Sequence, residues 1–184
     1  MSSWICTYTG KRFDPFDPKE DQIVIEDIAH ALSNICRYTG HCRTFYSVAE
    51  HSVNASDYVP EKWSKQALLH DASEAYLMDI ARPIKQHPAM AQYRETEQLV
   101  QRAILRKFKE PEELDASVHE ADNRLLISEA KLLLPNVNDW NWPVEPYPDF
   151  VVHGWSPQTA ERMFLRTWDH LSCTISPFFT TCEG

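Results

Sequence analysis

Four side chains in this sequence are of the types that hold a divalent ion through nitrogen and oxygen. They are His51, His70, Asp71 and Asp122. Two imidazoles and two carboxylates carried on three predicted helices can converge on one ion. That donor set suits Zn, Mn, Co, Fe or Ni better than Ca, and Mg is a less usual partner for imidazole. His70 and Asp71 are adjacent, flanked by Leu68, Leu69 and Ala72. Burying two ionisable groups is unfavourable unless each is paired or metal-bound. The residues alone leave two readings open, a metal site and a pair of satisfied core side chains. His30, His119 and His170 read as ordinary satisfied histidines.

Helices must position these groups, and the apolar spacing predicts several. Ile28, Leu32 and Ile35 mark a helix over Glu26 to Cys36. Ser47 and Glu50 form a capping-box pattern that opens a helix running to about Tyr58. Pro60 can open the next, through Trp63, Ala67 and Leu68 to about Met78, which puts His70 and Asp71 in mid-helix. Pro83 and Pro88 break the chain after it. Met90 to Phe108 and Glu112 to Leu134 are two long amphipathic patterns, the second carrying Asp122. Asn136 to His153 reads as a long ordered loop with two tryptophans, Trp140 and Trp142. Ser156-Pro157 then caps a last helix reaching about Leu171. The first 25 residues look irregular, with a short hairpin around Thr9-Gly10. The expected fold is all-α, in one domain over residues 1–184.

Composition excludes several function classes. The formal charge is −9, which disfavours binding to a nucleic acid polymer. The four glycines, Gly10, Gly40, Gly154 and Gly184, are too scattered for a phosphate-cradling loop. Any phosphate must therefore be held by side chains or a metal. No apolar run is long enough to span a membrane, and the N-terminus lacks a secretory pattern. Five cysteines with no CxxC pair fit reduced thiols in a cytoplasm.

The order His51, His70-Asp71, Asp122 resembles the HD-domain metal-dependent phosphohydrolases. The neighbouring residues match as well. Ser47-Val48-Ala49-Glu50-His51-Ser52 and Leu69-His70-Asp71-Ala72-Ser73-Glu74-Ala75 resemble segments of the nucleotidase branch, and Ala121-Asp122 resembles its distal ligand. Tyr8-Thr9-Gly10, Asp27 to Ser33 and Arg37 to His41 resemble small phage and bacterial members. The resemblance implies an HD-type helical bundle with a short irregular or hairpin N-terminal segment. It implies that His51, His70, Asp71 and Asp122 ligate a divalent transition metal (Zn, Co or Mn, with Mg the less usual fit).

The implied reaction is hydrolysis of a nucleotide by a water that the metal acidifies. Glu74 is the candidate to orient that water or shuttle its proton, and Asp79 the candidate to position water near the leaving group. Arg37, Tyr38, His41 and Lys85 are the substrate-binding candidates. The leading expectation is a deoxynucleoside triphosphate triphosphohydrolase that releases triphosphate. The alternative is a 5′-deoxynucleotidase, although the His51–His70 spacing is shorter than in that branch. A di-iron oxygenase using His87 and His119, or a non-catalytic nucleotide sensor, are remoter readings. The resemblance further implies a homo-oligomer, dimer or hexamer, in a bacterial or infected-host cytoplasm. Phe164 and Trp168 on the last helix fit either an interface between copies or the core.

Overall fold

Most of the apolar patterns become helices in the computed structural model, which describes residues 4–137 and 140–173. Cys182 and Gly184 lie outside the described residues, as do two positions of the Pro-rich loop. The only strands among the described residues form a hairpin, β1 (Ile5–Cys6) antiparallel to β2 (Arg12–Phe13). Gly10 sits at its turn with φ +82°, where a side chain would be strained. Asp27 anchors the hairpin to the helices, accepting bonds from the Thr9 amide (2.6 Å) and hydroxyl (3.0 Å).

The helices are α1 (Ile25–Asn34), α2 (Val48–Asp57), α3 (Ser64–Leu68), α4 (Glu74–Leu77), α5 (Arg82–Lys85), α6 (Ala91–Lys107), α7 (Ala116–Leu133) and α8 (Pro157–Cys173). The fold is all-α, as the periodicity implied. Helix α2 lies centrally, packed against α1, α3, α7 and α8. The main core joins Ile28 and Leu32 of α1, Val48 and Val53 of α2, Leu68, Leu69, Val100 and Ile104, and Phe164 of α8. Phe164 is fully buried, and Trp168 packs against the same core, edge-on to Phe108. The α8 apolar face is therefore core. Among the described residues, no helix is long and apolar enough to cross a membrane.

Three local expectations are corrected. The Pro60–Met78 segment is not one helix. It breaks into a 3-10 turn at Glu61–Trp63, then α3, a turn at 69–73, and α4. The cause is local. The Ala67 carbonyl accepts from the His70 imidazole Nδ1 at 2.7 Å, and the following amides bond three residues back instead of four. Gln101 of α6 splints the turn: its amide donates to the Leu69 carbonyl (2.7 Å) and its oxygen accepts from the Ser73 amide (3.0 Å). The helix expected from Glu112 begins at Ala116, because Asp115 is its N-cap and accepts from the Ser117 amide. Pro83 and Pro88 do more than break the chain, since each opens a short helical turn.

The capping box is half correct. Ser47 Oγ accepts from the Glu50 amide at 3.0 Å. The Glu50 carboxylate does not return the bond. It is fully buried and accepts from the backbone amides of His153 (2.9 Å), Gly154 (3.0 Å) and Trp155 (2.7 Å). A side chain that should only cap α2 thus pins the far loop ahead of α8. Glu50→Ala orphans three amides at once, each partner to a charged acceptor. It is expected to destabilise the fold by about 3 kcal/mol or more, while Glu50→Gln, which keeps one acceptor oxygen, loses less. Denaturant midpoints of the two variants check this.

Candidate metal centre

Four segments converge at one end of α2. Helix α2 supplies His51, the 69–73 turn supplies His70 and Asp71, α7 supplies Asp122, and the turn after α1 supplies Arg37. His51 is fully buried and His70 nearly so. Their Nε2 atoms face each other at 3.1 Å. Asp71 Oδ2 lies 3.5 Å from His51 Nε2 and 3.2 Å from His70 Nε2. Asp122 Oδ1 lies 3.3 Å and 3.8 Å from the same two nitrogens. His51, His70 and Asp71 form a group that could hold a metal ion, and Asp122 closes on it from α7.

The tautomers show why this is more than a buried ion pair. The His70 Nδ1–H donates to the Ala67 carbonyl, and His51 Nδ1 is 2.6 Å from Glu129. With both Nδ1 atoms protonated, both neutral rings turn lone pairs toward each other at 3.1 Å. Such an approach is repulsive unless a proton or a cation sits between them. Metal–imidazole bonds are about 2.0–2.1 Å, so neighbouring nitrogen ligands on one ion lie about 2.9–3.4 Å apart. The observed 3.1 Å fits. The break in the helix helps, because in a regular helix the Ala67 carbonyl would be bonded to the Asp71 amide instead of to the imidazole.

The electrostatics point the same way. Burial acts to lower the His70 pKa, but Asp71 and Asp122 overcome it and hold it well above the ordinary imidazole value. His51 is raised too, because Glu129 and Asp122 outweigh burial and Arg37. Burial would raise Asp71 and Asp122, yet the two imidazoles hold both below the usual carboxylate range. The pocket strongly favours positive charge at the point where the four groups meet.

Glu74 opens α4 one turn beyond Asp71. Its side chain is buried, with Oε1 3.4 Å from Lys85 Nζ and Oε2 lacking any hydrogen-bond partner. Burial first, and then Asp71 and Asp79, push its pKa well above the carboxylate range. Asp79 follows Met78, whose φ of +73° and ψ of 153° lie in a region nearly reserved for glycine. That strained turn reverses the chain. It brings Asp79 back into the field of Arg37, Asp71 and Lys85, and burial raises its pKa.

The expected substrate-binding residues divide. Arg37 is buried, with Nε 3.0 Å from Glu129 Oε2 and Nη1 3.5 Å from Asp71 Oδ2. Tyr38 donates to the Leu126 carbonyl at 2.7 Å. Lys85 bonds Glu97 at 2.6 Å as well as Glu74. These three border the cluster but are already partnered. His41 is exposed and no hydrogen bond or ion pair ties it to the cluster. His87 accepts from the Ala89 amide and His119 is exposed on α7, so neither joins the ligand group. Trp140 is exposed, and Trp142 donates to the Val137 carbonyl.

Two residues at this site escaped the sequence reading. Glu129 lies seven residues after Asp122 on α7, hence two turns along the same face. A lone glutamate at that spacing, between Leu125 and Leu133, was a readable signal. Gln101 carried none, since only the tertiary fold places it beside the broken helix.

Over 175 residues the chain is 39% identical to the uncharacterized protein YfdR of Escherichia coli strain K12, covering 92% of this chain and 96% of that protein. The chain belongs to the YfdR family. An uncharacterized protein of Rhodobacter capsulatus is 40% identical over 92 residues, covering 45% of this chain and 47% of that protein. No protein-family model matches the chain. Neither relative's name states an activity, so the chemistry of this YfdR-family chain rests on its own side chains.

Proposed function

We propose that this protein is an HD-type, metal-dependent nucleotide phosphohydrolase, acting on deoxynucleoside triphosphates and releasing triphosphate. The observation that carries the reading is the approach of His51 Nε2 to His70 Nε2 at 3.1 Å, with Asp71 and Asp122 closing on both. His51, His70, Asp71 and Asp122 would hold the ion, and Zn, Co or Mn suits two imidazoles with two carboxylates. When bound, such an ion acidifies water to near neutral pH and polarises a phosphoryl oxygen. The remaining chemistry belongs to the chain. Water adds to the α-phosphorus, the bond to the 5′-oxygen breaks, and the departing oxygen needs a proton. Glu74 is the buried acid placed to give it. The setting is a cytoplasm, with the protein acting on a small nucleotide pool.

A second reading, a 5′-deoxynucleotidase acting on monophosphates, is favoured by one observation. Arg37, Arg82 and Lys85 are all paired with carboxylates already, which leaves less positive charge for three phosphates.

A product assay on metal-loaded protein separates the two. Each dNTP and dNMP is offered with Zn, Co, Mn or Mg, and triphosphate is resolved from orthophosphate. Triphosphate from a dNTP is the expected result. Orthophosphate from monophosphates alone selects the second reading. No turnover on the whole panel, with metal shown to be bound, overturns the nucleotide hydrolase and leaves the oxygenase, the sensor or a non-nucleotide phosphate ester as substrate.

A further inference from the structure

We infer that Glu129 is a positioning residue, whose carboxylate fixes the tautomer and ring orientation of His51 so that Nε2 is presented to the ion. The inference rests on the metal reading of the site. Glu129 is completely buried, seven residues along α7 from Asp122. Its Oε1 meets His51 Nδ1 at 2.6 Å and accepts from the Tyr46 hydroxyl at 2.8 Å. Its Oε2 accepts from Arg37 Nε at 3.0 Å, and the Tyr38 hydroxyl, whose proton goes to the Leu126 carbonyl, lies 3.3 Å from it. Asn54 of α2 donates to the Tyr46 oxygen at 2.9 Å, which leaves the Tyr46 proton free to point at Glu129.

A carboxylate kept only to neutralise Arg37 would need one partner. This one has three, and the shortest contact runs to the imidazole. The chain also accepts strain to build it. Tyr38 and Thr39 take φ of 54° and 56°, a left-handed conformation strained for residues with a side chain, on the turn that carries Arg37 and Tyr38 to Glu129. A carboxylate on the outer nitrogen of a ligating histidine sets which nitrogen is free and raises its basicity. Losing it typically lowers metal affinity about 10–100-fold. Arg37 then acts through Glu129, as the counterion that keeps this carboxylate charged, while its Nη1 leans on Asp71.

The test is a zinc titration against a chromophoric chelator, with the wild type, Glu129→Gln and Glu129→Asp. Glu129→Gln is expected to bind zinc about 10–100-fold more weakly, with the helical far-UV circular dichroism spectrum retained. Glu129→Asp keeps the charge but is one methylene too short to hold the 2.6 Å contact, and is expected to weaken binding as well. Wild-type affinity in Glu129→Gln overturns the inference. Should neither variant fold, long-range proton–nitrogen NMR of the zinc-loaded wild type reads the tautomer directly. A proton on His51 Nδ1 supports the role, and a proton on Nε2 overturns it. Neither measurement uses turnover. A wild type that holds zinc but hydrolyses no nucleotide overturns the proposed function and leaves Glu129 in place. A Glu129→Gln protein that binds and hydrolyses like the wild type does the reverse.

Discussion

Alanine at His70 or at Asp71 is expected to abolish retention of the divalent ion and to lower turnover by about 10³-fold or more. A metal contributes several kcal/mol to a phosphoryl-transfer transition state, and each 1.36 kcal/mol is about tenfold in rate. Neither residue is replaceable by a neighbour. His70 supplies one of only two imidazoles in the cluster, and Asp71 Oδ2 is within 3.5 Å of both. The fold should survive both changes. The two residues sit in the 69–73 turn and not in a helix, while Leu68, Leu69 and Ala72 beside them keep their core contacts. His70→Ala also removes the imidazole bond to the Ala67 carbonyl and a partner of Asp71 and Asp122. The metal-free variant should therefore melt below the metal-free wild type while keeping its helix content. Metal content by elemental analysis, phosphate release and far-UV circular dichroism together read the result. Full turnover in both variants sinks the assignment.

The same turn shows what could be read from sequence and what could not. His51, His70, Asp71 and Asp122 were singled out by residue type and order, and three-dimensional proximity agrees with that choice. The amphipathic patterns of α1, α6 and α8 were legible because a buried stripe at helical spacing leaves a local trace. The break between α3 and α4 left none. Ala67 to Leu77 has no glycine or proline, and its composition favours a continuous helix. What ends the helix is the His70 side chain competing for the Ala67 carbonyl, with Gln101 from α6 taking up the freed groups. The first is a side-chain bond three residues back and the second is tertiary, and both occur at the site, where ordinary helix rules are most often overridden. Glu50 failed for a similar reason. Its capping partner was within three residues, but three amides of residues 153–155 made a better binding site for a buried carboxylate. The cations are a different case. Arg37 and Lys85 are candidates for the substrate, and sequence does not reveal that each is also paired with a carboxylate.

Glu74→Gln is the sharper probe of mechanism, because it should leave the ion in place and remove a proton. Glu74 is buried, its Oε2 has no partner, and Asp71 and Asp79 add negative charge around it. All three effects disfavour the ionised form, and Lys85 and Arg37 oppose them without winning. The raised pKa favours the protonated form, which suits the group to donate to the departing 5′-oxygen. Losing a general acid lowers rates about 10²–10⁴-fold, so Glu74→Gln should fall by that factor in kcat with metal content unchanged. The pH profile gives the sign. The protonated form is the active one, so wild-type kcat should decline as pH rises through the raised pKa, and the variant should lose that alkaline limb. Stability moves in the same direction with pH. A carboxyl whose folded pKa is raised stabilises the fold below its unfolded pKa, and that contribution is lost as pH rises through the folded pKa. An amide carries no such charge, so Glu74→Gln should melt higher than the wild type at alkaline pH. A variant that keeps both wild-type kcat and the alkaline limb would place the proton donor elsewhere, with Asp79 the next buried acid in reach of the same field.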